Sequence, residues 1–431
     1  MSSRRNFIKA AGLCGLGGSF VTTPLWGCSS SEKGKMPMQQ RIDPSEFIIF
    51  PWGGMPDHSN GIWGGTPAGT WGDMADMDTK MRDLYECGFN TSGFTDARNL
   101  KHARNNHLMG IVSNDIDAAD EITQEKADEK IRTLLKGISD EDRKALFAIY
   151  LRDEPNASLF PQLNIWSEAV RKQNIMPYIN LFPDYASPQQ LGSADYKAHL
   201  DQYVETCKPP YISYDNYSLF DEGRLEEDRF YGNLELVRNK SLQAGIPFWN
   251  VVLANTHFMY AEPSDATLGI QVYSTLAYGG KGIGYFTYYT PQAGNYRLAP
   301  IDRFGYRTKT WDMVRNINLQ IRSLIPVYVS LKSVNVFHTG NVPRNGQGIS
   351  SAKLVESVSG ASLLVGEFVD PAGKPYVIIV NKNMQSSVSY SVKFKEKGKV
   401  MLISQFNKGR VSLEGEQNWL APGCGALLTV E

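Results

Sequence analysis

The stretch that decides the fold is Phe147-Ala148-Ile149-Tyr150-Leu151-Arg152-Asp153-Glu154-Pro155. Its large apolar residues recur at every second position, which is the period of a β-strand. Pro155 ends the strand because proline has no N–H to donate to a sheet ladder. Arg152, Asp153 and Glu154 stand at the C-terminal end. This is the end at which a parallel barrel carries its chemistry, although the same residues could also form a surface turn with an ion pair.

Strand and helix signals alternate around this stretch from residue 46 to residue 332. Eight apolar strand-like runs occur, and a helical pattern follows each of them. Eight such units predict a (β/α)8 TIM barrel. A doubly wound open sheet is the alternative, but no Gly-x-Gly-x-x-Gly follows an early strand.

The chain changes character after the eighth helix. Residues 333–431 have no helical period but contain alternating runs such as Tyr376–Val380 and Val388–Phe394. Turn residues separate these runs, as in Asp370–Lys374. The pattern predicts a C-terminal β-sandwich domain. Because it holds no acidic pair and no histidine cluster, we interpret it as a packing module.

The first residues are typical of an export signal. Arg4 and Arg5 precede a short apolar run, and they resemble a twin-arginine signal peptide. Leu25-Trp26-Gly27-Cys28 resembles a bacterial lipobox with Cys28 as the lipidated residue. We therefore expect a signal over residues 1–28, a polar tether over 29–45, and an exported, membrane-anchored lipoprotein in the periplasm or at the cell surface.

Composition excludes several partners and cofactors. The 431-residue chain has 44 Lys and Arg against 45 Asp and Glu, so no basic footprint for nucleic acid is present. Of the five cysteines, Cys14 and Cys28 belong to the signal, and the other three form no CxxC pair. The six histidines are scattered and form no metal motif. The sequence predicts no metal site and no cofactor.

Polar and aromatic residues follow or end nearly every predicted barrel strand. Carboxylates, amides and aromatic rings along one rim suit a polyhydroxylated ligand, so we expect a carbohydrate substrate, although Asn and Asp also favour turns. The candidate substrate-binding residues are Trp52, Asp57, His58, Asn90, Asn114, Arg152, Asn180, Asn216, Tyr217, Asn250, His257 and Tyr288.

Two carboxylates are candidates for the chemistry because their strands alternate clearly. Ser213 and Asp215 share one face of the sixth strand, and by the same count Arg152 and Glu154 share one face of the fourth. Glycoside hydrolysis needs two carboxyl groups across the bond, one of them protonated. Proximity of the two would raise one pKa. The sequence predicts Glu154 as general acid/base and Asp215 as nucleophile or base.

Three segments resemble those of exported bacterial glycoside hydrolases with a barrel fold. These are Tyr150–Pro155, Ser213–Tyr217 and Gly280–Tyr288. The barrel and the trailing β domain are together loosely similar to the β-galactosidase type. Those enzymes carry Asn-Glu at strand four, where this chain has Asp153-Glu154. They also carry a nucleophilic Glu at strand seven, where this chain has no acid.

Three alternatives remain open at this point. An Asp-Glu pair on strand four is similar to N-acetylhexosaminidases that use the acetamido group of the substrate, in which Glu154 would be the acid and Asp153 would orient the acetamide. Acids on strands four and six resemble the α-galactosidase type, in which both are Asp. The same rim would also serve a non-catalytic surface glycan-binding lipoprotein.

Overall fold

The computed structural model describes residues 42–53, 76–113, 121–291, 294–415 and 417–431. The predicted export signal with Cys28, most of the tether, and the candidate residues Asp57, His58 and Asn114 lie outside the described residues. Export and lipidation therefore stay predictions. In the described ranges, no helix is both long and apolar enough to cross a bilayer.

Eight parallel strands form the barrel, as the sequence predicts. Its hydrogen-bonded order is β1-β10-β9-β6-β5-β4-β3-β2. The strands are β1 Ile48–Pro51, β2 Thr91–Thr95, β3 Met109–Val112, β4 Leu146–Asp153, β5 Met176–Leu181, β6 Ile212–Asp215, the hairpin β7 Leu219–Phe220 and β8 Arg224–Leu225, β9 Phe248–Leu253 and β10 Gly282–Phe286. The hairpin lies outside the barrel sheet. Because helices cover the strands on the outside, both faces of each strand are buried.

The helices pack their apolar faces on these strands. They are α1 Met77–Glu86, α2 Leu100–Asn105, α3 Gln124–Lys136, α4 Asp140–Arg143, α5 Phe160–Arg171, α6 Pro188–Leu191, α7 Tyr196–Cys207, α8 Glu227–Ala244, α9 Asp265–Ala277 and α10 Lys309–Tyr328. The sequence predicts the end of the last helix at Leu324, but α10 continues past Pro326. The buried Lys281 ammonium donates to the carbonyls of Tyr328 and Val329, and so satisfies its C-terminal end.

The barrel closes at a seam between β1 and β2, which stand at the two ends of the hydrogen-bonded order. Asn90 makes this seam. Its backbone N–H donates to the Ile49 carbonyl at 3.2 Å, and its Oδ1 accepts the Ile49 N–H at 2.8 Å. Its Nδ2 donates to the Phe47 carbonyl at 2.8 Å. The prediction that Asn90 binds substrate is therefore wrong. Its side chain instead makes hydrogen bonds to the backbone of β1 that a neighbouring strand would otherwise make.

We expect Asn90→Ala to lower the free energy of unfolding by about 2–3 kcal/mol, because the buried Ile49 N–H and Phe47 carbonyl would lose their partners. Urea unfolding followed by tryptophan fluorescence measures the change. Asn105→Ala, on the exposed face of α2, is the matched control. A loss no greater than that of the control would contradict the role of Asn90 at the seam.

Two antiparallel sheets follow the barrel and form the predicted β-sandwich. The larger has the order β11-β13-β14-β19-β16-β17, and the smaller has the order β12-β15-β18. The strands are β11 Lys332–His338, β12 Val355–Ser359, β13 Leu363–Val369, β14 Pro375–Asn381, β15 Val388–Phe394, β16 Val400–Ile403, β17 Arg410–Ser412, β18 Asn418–Leu420 and β19 Gly425–Val430. Alternate residues of the two sheets form a separate apolar core between them.

The outer face of the larger sheet packs on the barrel, mainly on α9. Gly366 lies so close to this helix that a Cβ there would stand 2.0 Å from the Ala277 carbonyl oxygen. Tyr328 at the end of α10 also contacts Phe368, with ring centroids 5.9 Å apart. From Gln40 onward the chain is one compact unit. The sandwich therefore supports α9, which packs behind β9 of the barrel.

Candidate active site

Strand β6 directs Asp215 into the barrel. Ile212 and Tyr214 face the helices and belong to the outer apolar core. Ser213 and Asp215 face inward, as the alternation predicts, and Asp215 is 6% exposed. The carboxyl group thus lies at the C-terminal end of a central strand, where the neighbouring strand ends converge.

Strand β4 does not follow the simple alternation. Its register against β5 shifts between Tyr150 and Arg152, so that Asp153 aligns with the inward-facing Asn180. The prediction that Arg152 and Glu154 share a face is therefore incorrect, because this irregularity resets the period of two. Glu154 then takes a left-handed backbone with φ 43°. Its N–H donates to the Asn180 carbonyl at 2.8 Å, which holds it beside Asp153.

Asn180 connects the two aspartates. Its Nδ2 donates to Asp153 Oδ1 at 3.2 Å and to Asp215 Oδ1 at 2.8 Å. Its Oδ1 accepts from the Ser213 hydroxyl at 2.9 Å, and that hydroxyl lies 3.1 Å from Tyr178 Oη. Because Asn180 Oδ1 accepts from Ser213, the orientation of the amide is fixed, and its Nδ2 hydrogens point at the carboxylates.

Burial raises the pKa of all three carboxyl groups. The pKa of Glu154 rises to about 8, first through burial and then through the charge of Asp153. Burial raises the pKa of Asp153 to about 6, although Asn180 and Arg152 act in the opposite direction. The pKa of Asp215 is raised well above its ordinary value by burial and by the charges of Glu154 and Asp153. At neutral pH the cluster therefore retains protons.

Glu154 is the carboxyl group best suited to hold such a proton. No described residue donates a hydrogen bond to its side chain, whereas Asp153 and Asp215 both accept from Asn180. A donated hydrogen bond favours the ionised form. Glu154 is also only half-buried, so a ligand can reach it.

Aromatic rings surround the carboxylates. Tyr217 follows Asp215, and its ring lies 5.4 Å from Phe286 at the end of β10. Phe286 contacts Trp52 at 5.5 Å and His257 at 5.5 Å. Among the described residues, the buried indole N–H of Trp52 has no hydrogen-bond acceptor. Trp52, Tyr217 and His257, which the sequence predicts to bind substrate, thus all contact the Phe286 ring.

His257 is a neutral ring in this rim. Burial lowers its pKa to about 4. Its Nδ1 lies 2.9 Å from Asn255 Oδ1, and the Asn255 amide donates to Thr287 at 2.9 Å. This bond fixes the orientation of Asn255, so Nδ1 carries the proton and Nε2 is left as an acceptor.

Three predicted substrate-binding residues lie elsewhere. Asn250 points outward from β9 and donates to Thr275 of α9 at 2.9 Å. Tyr288 is buried behind the barrel, where its hydroxyl bonds to Asp83 and accepts from Trp311. The Asn216 side chain binds α8 through the Arg229 carbonyl and Asn233. These polar groups bind the helices that cover the outer face of the barrel strands, and so stabilise that helix layer.

Other residues at the site were missed by the sequence analysis. Tyr178 shares the face of Asn180 by simple alternation, so the strand period could have found it. Tyr296 stacks on His257 with ring centroids 4.7 Å apart, but it lies in a loop that has no period. Arg152, by contrast, is a residue that the sequence predicts to bind substrate; it lies beside Asp153 and lowers the pKa of that carboxyl group. Across the described ranges, no group of three His, Cys, Asp or Glu side chains is arranged to hold a metal ion.

Comparison with known proteins gives solved structures of low similarity. No protein-family model matches the chain, and no curated protein matches it. A β-galactosidase from the psychrophilic Marinomonas ef1 is 8% identical with TM-score 0.47, over 67% of this chain and 62% of that one. A maltogenic α-amylase from Thermotoga neapolitana is 10% identical with TM-score 0.49, over 90% and 99%. An α-galactosidase from Saccharomyces cerevisiae is 10% identical with TM-score 0.43, over 83% and 92%.

Proposed function

We propose that this chain is a glycoside hydrolase that uses Glu154 as general acid/base and Asp215 as nucleophile or base. The observation that carries the proposal is the gathering of three carboxyl groups with raised pKa at the ends of β4 and β6. Cleavage of a glycosidic bond requires a proton donor and an ionised carboxylate close together.

Glu154 supplies the proton in this proposal. Its raised pKa keeps it protonated near neutral pH, and it is reachable from the pocket. A proton on Glu154 also removes one of the two charges that raise the pKa of Asp215, so Asp215 becomes easier to ionise. The cluster can therefore hold an acid and an anion at the same time.

The aromatic rim favours a carbohydrate as the substrate. The partly buried Tyr217 ring can pack on the C–H groups of a sugar, and His257 Nε2 can accept from a hydroxyl group. A glycan-binding protein without turnover would use the same rings. It would not need a protonated carboxylic acid, which is why the enzyme is the proposal.

A panel of 4-nitrophenyl glycosides, which covers α and β anomers of common hexoses, pentoses, 6-deoxyhexoses and N-acetylhexosamines, tests the activity directly. Release of nitrophenol from at least one sugar, absent in the double variant Glu154→Gln with Asp215→Asn, would support hydrolysis. No release from any sugar, together with tight binding of glycans, would favour the glycan-binding protein.

For the sugar that is hydrolysed, we expect a bell-shaped dependence of kcat/KM on pH, with an alkaline limb near pH 8. On the acid side Asp215, which must be ionised, takes up a proton, and above about 8 Glu154 loses the proton that it must donate. In Glu154→Gln the alkaline limb should disappear while the acid limb remains. An alkaline limb that persists in this variant would assign it to another group.

A further inference from the structure

Phe258 is exposed to solvent in the loop after β9. Its side chain is 69% exposed, and its backbone is left-handed with φ 47°. This conformation is unfavourable for a bulky residue, and the exposed ring gains almost nothing from burial. The exposed position of Phe258 therefore lowers the stability of the fold, which indicates that the ring has a role other than stabilising the fold.

The position of Phe258 is fixed by the neighbouring loop. Its N–H donates to Asn295 Oδ1 at 2.8 Å, and its carbonyl accepts from Asn295 Nδ2 at 3.1 Å. Beside it, the backbones of Thr256 and Arg297 exchange two hydrogen bonds of 3.0 Å. The loop after β9 and the loop after β10 are thus joined, and the ring stands on a defined support.

A continuous series of rings leads from the carboxylates to Phe258. Tyr217, next to Asp215, contacts Phe286 at 5.4 Å, and Phe286 contacts His257 at 5.5 Å. His257 stacks on Tyr296 at 4.7 Å, and Tyr296 lies 6.3 Å from Phe258. Phe258 is therefore the outer, exposed end of a series of rings that begins beside the carboxylates.

We propose that Phe258 is a stacking platform for a sugar unit beyond the cleaved bond, so that the substrate is an oligosaccharide chain rather than a single glycosylated unit. This inference rests on the proposed function. The same two loops carry charged groups, because Arg297, whose backbone pairs with Thr256, and Glu262 form an ion pair at 3.5 Å with half or more of each side chain exposed. Their side chains can donate hydrogen bonds to sugar hydroxyl groups and accept from them. An apolar ligand such as an acyl chain would have no groups to pair with them.

The test compares Phe258→Ala, Phe258→Gly and Phe258→Trp with the parent chain. Glycine accepts the left-handed backbone and removes the ring, so it separates the loss of the ring from strain. Phe406→Ala is the matched control, because Phe406 is 76% exposed on the sandwich. The probes are 4-nitrophenyl mono-, di- and trisaccharides of the sugar that the parent chain hydrolyses best.

We expect Phe258→Ala and Phe258→Gly to raise KM for the trisaccharide by about 3–10-fold, with monosaccharide kinetics unchanged, because one stacked ring pair has an affinity of that size. Phe258→Trp should retain the preference for longer chains, and Phe406→Ala should resemble the parent. An unchanged dependence on chain length in both ring-less variants would overturn the platform, and so would an equal effect of Phe406→Ala.

A binding measurement separates this proposal from the proposed function. Glu154→Gln, with and without Phe258→Ala, is applied to an array of unlabelled oligosaccharides. If binding increases with chain length and Phe258→Ala removes that increase, the platform stands even where no nitrophenyl glycoside is hydrolysed. If neither protein prefers longer chains, the platform is wrong, whatever the outcome for hydrolysis.

Discussion

Glu154→Gln should lower kcat/KM on glycosides with poor leaving groups by about 10²–10⁴-fold, which is the usual contribution of general acid catalysis. The side chain keeps its size but has no acidic proton to give to the departing oxygen. Burial and Asp153 keep that proton in place in the parent chain. The substituted amide would also be neutral, so the loss does not arise from a new buried charge.

The leaving group distinguishes protonation from simple disruption. Glycosides of 2,4-dinitrophenol need little protonation, so on them the loss in Glu154→Gln should be at least about ten times smaller than on alkyl glycosides. Glu129→Gln, on the exposed side of α3, is the control and should behave as the parent. Equal losses on both kinds of substrate would exclude Glu154 as the general acid.

The arrangement of strands could be predicted because each barrel strand has its own local signal. Strand β5 is predicted at 176–182 and observed at Met176–Leu181, and β6 alternates as expected through Ser213 and Asp215. Glycine and proline mark the ends of the elements. The sandwich is also visible, because β15 alternates between buried and exposed positions and β14 is a short apolar run bounded by turn residues. These patterns depend on residues that are close in sequence.

The positions of individual polar side chains depend on contacts that sequence spacing does not encode. Both faces of a barrel strand are buried, so an inward Asn180 and an outward Asn250 look alike in sequence. Asn90 replaces a backbone ladder to Ile49, which lies 41 residues away in the chain. The shift in β4 changes which acid meets Asn180, and a simple count of alternate residues misses it.

The second prediction with a large expected effect concerns Asp153 and Asp215, which both accept a hydrogen bond from Asn180. Asp215→Asn should lower kcat/KM by about 10³-fold or more if Asp215 is the nucleophile or base. Asparagine can still accept from Asn180 through its Oδ1. The pKa of Asp215 is raised in the folded state, so the folded protein loses stability as rising pH ionises this group. The Asp215→Asn variant is neutral at every pH and should therefore melt no lower than the parent at pH 8. A thermal melt at that pH shows that the fold is intact.

The spacing of the acting carboxyl groups decides the stereochemistry. Carboxyl groups about 5–5.5 Å apart are typical of retaining enzymes, and inverting enzymes need about 6.5–9.5 Å to admit a water molecule. Because Glu154 is the proposed acid, the separation that matters is the one between Glu154 and Asp215. The anomeric configuration of the first product, followed by NMR, distinguishes the two outcomes.

Added azide assigns the roles. If Asp215 is the nucleophile, Asp215→Gly with azide should yield a glycosyl azide of inverted anomeric configuration, because azide attacks from the vacated side. If a neighbouring residue is the nucleophile and Asp215 is the acid/base, azide should instead attack the glycosyl-enzyme, and the product should keep the configuration of the substrate. Asp153→Asn is examined in parallel. Near-full activity of Asp215→Asn with complete loss in Asp153→Asn would refute the two-carboxylate mechanism. The acetamido group of the substrate would then be the nucleophile, with Asp153 to orient it and Glu154 still to supply the proton.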